Sequence, residues 1–143
     1  MKKLFLSLCL AALTPLLFIS CASSSATVEP GTNLKAMRTF HVEKVQGDGH
    51  DMDQVIAADL RKRGFKATTG PQPRNIDALI TYNDKWMWDI TMYLLQLDIA
   101  LRDPKTRGIV GSAKTYRPSL QRKSKEAMAT ETLDKLFSAQ STN

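Results

Sequence analysis

Between residues 90 and 102 the chain follows a period of two: Tyr93, Leu95, Leu97, Ile99 and Leu101 fall on one side of an extended backbone, Gln96, Asp98 and Arg102 on the other. A period of two is the geometry of a strand with one face in a core, and a helix cannot satisfy it. A sheet is therefore required, and its apolar face needs a second layer to cover it. The flanking sequence supplies partners. Residues 77–87 are strand-like, Asp103-Pro104-Lys105-Thr106-Arg107-Gly108 is a turn, and residues 109–116 make the return strand of a hairpin. Upstream, residues 39–45 alternate with Phe40 and Val42 on one face until Gly47 and Gly49 end the run. Residues 65–68 form a short strand, and Gly70-Pro71-Gln72-Pro73 forces an exposed loop.

Two segments carry the helical period. The first has Asp51 in the N-cap position with Gln54 as its capping-box partner, then Val55, Ile56 and Leu60 on one face. Gly64 stops it in a left-handed cap with Phe65 folding back. The second starts at Ser124 and places Ala129, Leu133, Leu136 and Phe137 on one stripe. The order β-α-β-β-β-β-α predicts an α+β, two-layer sandwich: a mostly antiparallel sheet of about five strands with two helices on one face. By size, residues 36–140 are a single domain.

The N-terminus carries an address. Lys2 and Lys3 precede an apolar stretch over residues 4–17, broken only by Ser7, Thr14 and Pro15. That is shorter than the roughly 20 apolar residues of a membrane span, so residues 1–20 read as an export signal. The sequence Leu17-Phe18-Ile19-Ser20-Cys21 resembles the lipobox of bacterial lipoproteins. The resemblance implies that the Cys21 thiol receives diacylglycerol and becomes the first residue of the mature chain. The other reading of Cys21 is an ordinary secreted cysteine, with small residues at 22–26 offering a conventional cut. Cys9 leaves with the signal, so Cys21 has no disulfide partner. More than one acyl chain makes attachment stable, because each buried methylene contributes about 0.8 kcal/mol. Ala22 in the second mature position implies, by likeness to enterobacterial sorting, the periplasmic face of the outer membrane. Residues 21–35 are small, polar and broken by Pro30 and Gly31, which predicts a lipidated, flexible tether reaching on the order of 20 Å.

The ordered part resembles the small envelope lipoproteins of the DUF4136-like family. The resemblance rests on the helix ending Arg63-Gly64-Phe65, the strand opening Asp77-Ala78-Leu79-Ile80-Thr81-Tyr82, and the hairpin from Leu97-Asp98-Ile99 to Asp103-Pro104-Lys105-Thr106. It covers most of residues 38–137 and brings no established activity.

Few residues invite chemistry. Asp48, His50, Asp51 and Asp53 crowd one glycine-containing loop, but their spacing is neither that of an EF-hand nor of a His-x-x-x-His zinc site. Helix capping and the helix dipole account for them, so neither a metal nor a cofactor is expected. His41 is expected at a surface or sheet edge. No nucleophile elbow, phosphate loop or dinucleotide fingerprint occurs, and the chain reads as a non-enzyme. Trp86 and Trp88, two apart, share one side of an extended chain. They either fill the core or form an apolar patch for a partner.

From Arg102 to Lys125 the chain carries Arg102, Lys105, Arg107, Lys114, Arg117, Arg122, Lys123 and Lys125 against Asp103 alone. This is either a solvated basic edge or a surface for anionic headgroups or peptidoglycan-associated polymers. Nucleic acid is not a partner for an exported chain, and without Lys2 and Lys3 the net charge falls from +6 to +4. The functional expectation is a membrane-anchored envelope lipoprotein that binds another envelope component, with Trp86, Trp88, Arg117, Arg122 and Lys123 as candidate surface residues. The alternative is a small-molecule or lipid-binding accessory whose tryptophans line a groove.

Overall fold

Six strands hydrogen-bond into one sheet in the order β1-β6-β5-β4-β2-β3, where β1 is Ser23–Val28, β2 Thr39–Val42, β3 Lys66–Thr68, β4 Ala78–Asp89, β5 Thr91–Arg102 and β6 Ile109–Tyr116. The computed structural model describes residues 21–139, so the expected export signal lies outside the described residues. Helices α1 (Met52–Lys62) and α2 (Lys125–Ala139) lie over one face, and the class is α+β. The sheet is mostly antiparallel, as expected, but has six strands rather than about five and a parallel edge. β1–β6, β6–β5 and β5–β4 run antiparallel, whereas β2 is parallel to both β3 and β4. The parallel pairs follow from connectivity: α1 carries the chain back between β2 and β3, and parallel neighbours need such a crossover.

The core between the layers is built from Phe40 and Val42 of β2, Ala78, Ile80 and Tyr82 of β4, and Leu97, Ile99 and Leu101 of β5. Against them pack Ile56 and Leu60 of α1 and Met128, Leu133 and Leu136 of α2. Below them Phe65 contacts Phe40 with ring centroids 5.0 Å apart and Phe137 at 5.2 Å. α1 ends as its sequence predicts. Gly64 is left-handed at φ 89, its N–H donates to the Arg61 carbonyl, and the Phe65 N–H reaches back to Leu60. Ser124 caps α2, its Oγ accepting from the Ala127 N–H at 3.1 Å. Arg63 joins the two helices, donating from Nε to Asp59 at 2.6 Å, from Nη1 to Asp134 at 2.7 Å, and from Nη2 to the Thr130 carbonyl at 3.0 Å.

Four expectations are corrected. Residues 23–28 are not tether: they form β1, paired along its whole length with β6. The side chains are small, but Ala26 and Val28 alternate toward the core and pack against it, and the backbone ladder supplies the rest. His41 is not at a surface or edge. It lies in β2 between β3 and β4, is 1% exposed, and pairs through Nδ1 with the Thr68 hydroxyl at 2.9 Å. Asp51 does not cap α1 with its side chain, since its backbone is left-handed at φ 54. Asp48 does so instead, its Oδ2 accepting from the Met52 N–H at 2.8 Å and its Oδ1 from His50 N–H at 2.7 Å.

The fourth correction concerns β5. Lys85 pairs with Gln96 but Trp86 with Leu94, so Leu95 is an extra residue, and a one-residue bulge exchanges the two faces beyond it. Leu94 takes the place in the core that Leu95 and Tyr93 were expected to hold.

Candidate functional site

The register defines one end of the molecule. Ser23, Tyr116, Gln96 and Lys85 lie on one rung across β1, β6, β5 and β4. Beyond that rung β1 and β6 stop, while β4 and β5 continue as a two-stranded arm to a reversal at Ile90. Trp86 and Trp88 lie on this arm. Both share the side of β4 that carries Ala78, Ile80 and Tyr82, because side chains two apart face alike.

Their environments differ sharply. Trp86 is half-buried at the base of the arm, its ring stacked on His50 at 3.8 Å and 20°, its indole N–H donating to Asp84 at 2.6 Å. His50 is held from behind, since Lys125 Nζ donates to its carbonyl at 2.7 Å. Trp88 is 70% exposed, and around it Met87, Ile90 and Met92 are 42%, 85% and 51% exposed. Ile90 turns the chain at φ 61, a left-handed conformation that a β-branched residue adopts only under strain. The arm thus has a fixed aromatic base and an apolar, strained tip.

The segment after β6 runs along the arm. The Arg117 N–H donates to the Leu95 carbonyl at 2.8 Å, Ser119 hydrogen-bonds Asp89, and Arg122 donates to Thr91 at 2.7 Å. The Arg122 guanidinium also lies 5.0 Å over the Tyr93 ring and 3.8 Å from the Asp89 carboxylate. Arg117 and Lys123 turn instead to α2, where both pair with Glu131. Burial would raise the Glu131 carboxyl, but Lys123 and Arg117 hold it below the ordinary carboxylate range. Of the five candidate residues, Trp88 stands exposed near the tip of the arm, Arg122 lies over Tyr93 on the arm's other face, Trp86 braces its base, and Arg117 and Lys123 are committed to an ion pair. The rest of the basic run is partly neutralised too: Arg107 pairs with Glu43 at 2.7 Å and Lys114 lies 3.9 Å from Asp98.

The acidic loop is largely occupied, although Asp53 Oδ1 is buried without a hydrogen-bond partner among the described residues. Asp48 accepts from the Tyr82 hydroxyl at 2.7 Å as well as from the two backbone N–H groups. Burial works against the ionised form of Asp48, yet these donors outweigh it and keep the carboxyl below its ordinary value. Burial, reinforced by Asp48, pushes the Tyr82 hydroxyl well above the usual phenol range. Asp51 pairs with Lys44 at 3.0 Å, and Asp53 sits in the first turn of α1, at the positive end of the helix dipole. Two of the surface depressions bear on the site. One of about 430 Å3 lies beside Trp86, lined by residues 45–50 with Asn83 and Asp84, and Trp88 does not reach it. The other, about 500 Å3, is a polar trough on the helix-free face between Thr81, Asp98, Ser112 and Ser25.

Cys21 is exposed, two residues before the start of β1, and therefore at the same end as the arm. Sequence reasoning missed Met87, Ile90 and Met92. The signal was present: residues 86–88 are all apolar, although a strand covered on one side alternates.

No family model and no curated protein matches the chain. Solved structures do. The chain is similar to the PelC dodecamer from Paraburkholderia phytofirmans, with 17% identity and a TM-score of 0.60 over 83% of this chain and 97% of that one. A variant of the same dodecamer with one leucine replaced by methionine aligns at 18% identity and a TM-score of 0.57, over 83% and 96%. A PDZ domain protein from Parabacteroides distasonis aligns at 12% identity and a TM-score of 0.53, over 85% of this chain and 36% of that one. At these identities the likeness concerns the fold alone.

Proposed function

We propose that this chain is a non-enzymatic envelope lipoprotein, anchored through lipid on Cys21 and binding a further envelope component with the end of the molecule that carries the β4–β5 arm. One observation carries the reading: Trp88, Ile90 and Met92 stand exposed together on a projecting arm whose base is fixed by Trp86 and His50. Clustered apolar exposure of this kind marks an interaction site. The position of Cys21 at the same end supports it. The PelC chains of like fold assemble as dodecamers, so a second copy of this chain is one candidate component.

A second reading is a small-molecule accessory, favoured by the 430 Å3 depression beside Trp86, whose Asn83 and Asp84 suit a small polar ligand.

A photoreactive amino acid at position 88, irradiated in intact envelopes, tests the first reading. Adducts to a defined envelope component support it. No adduct at 88 sinks it, and reproducible adducts only from position 83 select the accessory. Cys21→Ser should abolish lipid labelling and release or misprocess the chain; unchanged processing with continued membrane fractionation would remove the anchor.

A further inference from the structure

The register also gives the arm a depth. Cys21 lies two residues before Ser23, at most about 7 Å beyond the shared rung. β4 continues for four residues past its own rung position, Lys85, which at about 3.3 Å per residue carries the tip on the order of 13 Å beyond the same line. A lipid on Cys21 would therefore hold the bilayer surface at a level that the tip of the arm overshoots by several ångströms. Interfacial segments bury their apolar side by about 5–10 Å.

We infer that the component contacted by the arm is the bilayer itself, with Trp88, Ile90 and Met92 inserted among the lipids beside the acyl chains on Cys21. The inference rests on the anchoring reading above. Its chemistry fits a lipid better than a folded protein. The contact is a narrow convex projection, not a flat face. Its collar is mostly paired internally, Arg122 facing Asp89, Lys44 meeting Asp51, and Arg117 and Lys123 sharing the single Glu131, so one positive charge is left over among these residues to recognise a charged partner. Trp88 suits the headgroup level, where an indole places its ring in the apolar layer and its N–H in the wet one. Behind the tip, the Arg122 guanidinium lies over the Tyr93 ring and is held by Ser119, Thr91 and Asp89, so its charge is engaged within the arm. The attachment is apolar, and neither anionic lipid nor low salt is required for it.

The test uses the lipidated mature chain reconstituted into vesicles of phosphatidylethanolamine and phosphatidylglycerol, with an environment-sensitive fluorophore on Met92→Cys. A second sample carries it on Lys105→Cys, in the turn at the opposite end. We expect blue-shifted emission at 92, quenched by phosphatidylcholine brominated on its acyl chains and insensitive to salt, with neither effect at 105. Trp88→Ala together with Ile90→Ser should lower the quenching at 92 while circular dichroism stays unchanged. Water-like emission at 92 on a chain whose mass shows lipid overturns insertion and leaves the anchor standing. A blue shift that brominated lipid does not quench means the tip is buried in protein, including a second copy, and also overturns it. If the mass shows no lipid, quenching at 92 keeps the inserted tip and discards the anchor, and its absence discards both.

Discussion

His41 shows how a single buried group ties stability to pH. Desolvation lowers its pKa from the ordinary value near 6.5, only partly opposed by the Glu43 carboxylate. The folded state therefore binds the proton less readily than the unfolded chain. Stability is fully present above about pH 6.5 and is lost as pH falls below that value toward the depressed folded pKa. Urea midpoints measured from pH 8 to pH 5 should fall on the acid side, and His41→Gln should flatten that fall even if it lowers the midpoint overall. An equal slope in the variant would assign it to another group. The sequence pattern hid this residue, because alternation places His41 opposite Phe40 and Val42, on the side expected to be wet. Only strand order makes β2 internal, and strand order is a long-range property. Asp48 was hidden for a different reason: Asp51 has the better capping position in sequence, and the left-handed turn that hands the role to Asp48 becomes visible only in the backbone.

At the scale of elements, whatever depended on local periodicity was legible. α1 with its Gly64 cap, α2 with Ser124, and the strands from 78 to 116 follow from spacing and turn chemistry. β1 did not, because Ser-Ser-Ser-Ala-Thr-Val lacks the large apolar residues that announce a strand. Its value lies in being small. α2 crosses β6 at Gly111, where an added Cβ would meet Leu136 Cδ1 at 3.2 Å, the Thr27 carbonyl at 3.6 Å and Leu101 Cβ at 3.7 Å. Neighbouring bulk has no room there. Gly111→Val should therefore force α2 away from the sheet and destabilise the fold by about 1–3 kcal/mol, the usual range for overpacking. Thermal unfolding reads this directly, and a Tm unchanged from the parent would show that α2 accommodates the side chain. The bulge at Leu95 was equally illegible, since apolar residues at 93, 94 and 95 permit either register. What selects one is the segment after β6, whose Arg117 N–H holds the Leu95 carbonyl.

For the whole molecule, the ordering of β1 changes what an anchor on Cys21 would do. A flexible tether of fifteen residues would let the domain tumble at some distance from the membrane, with every face visiting the lipid. With pairing beginning at Ser23, only Cys21 and Ala22 would separate such a lipid from a six-stranded sheet, and an anchored sheet would stand on its arm end. β5 runs from one end of the molecule to the other in 12 residues, which at about 3.3 Å each is roughly 40 Å. The Asp103–Gly108 turn should then face away from the bilayer at that height, with the Phe40, Phe65 and Phe137 cluster on the same side. Energy transfer from a donor on Lys105→Cys to an acceptor in the lipid headgroups measures this height. A narrow distribution centred near 40 Å is expected, and deleting the tip residues should broaden it without releasing the chain. A broad distribution in the intact protein, reaching down to contact with the headgroups, would mean that β1 detaches from β6 at the membrane and that the link behaves as its composition suggests.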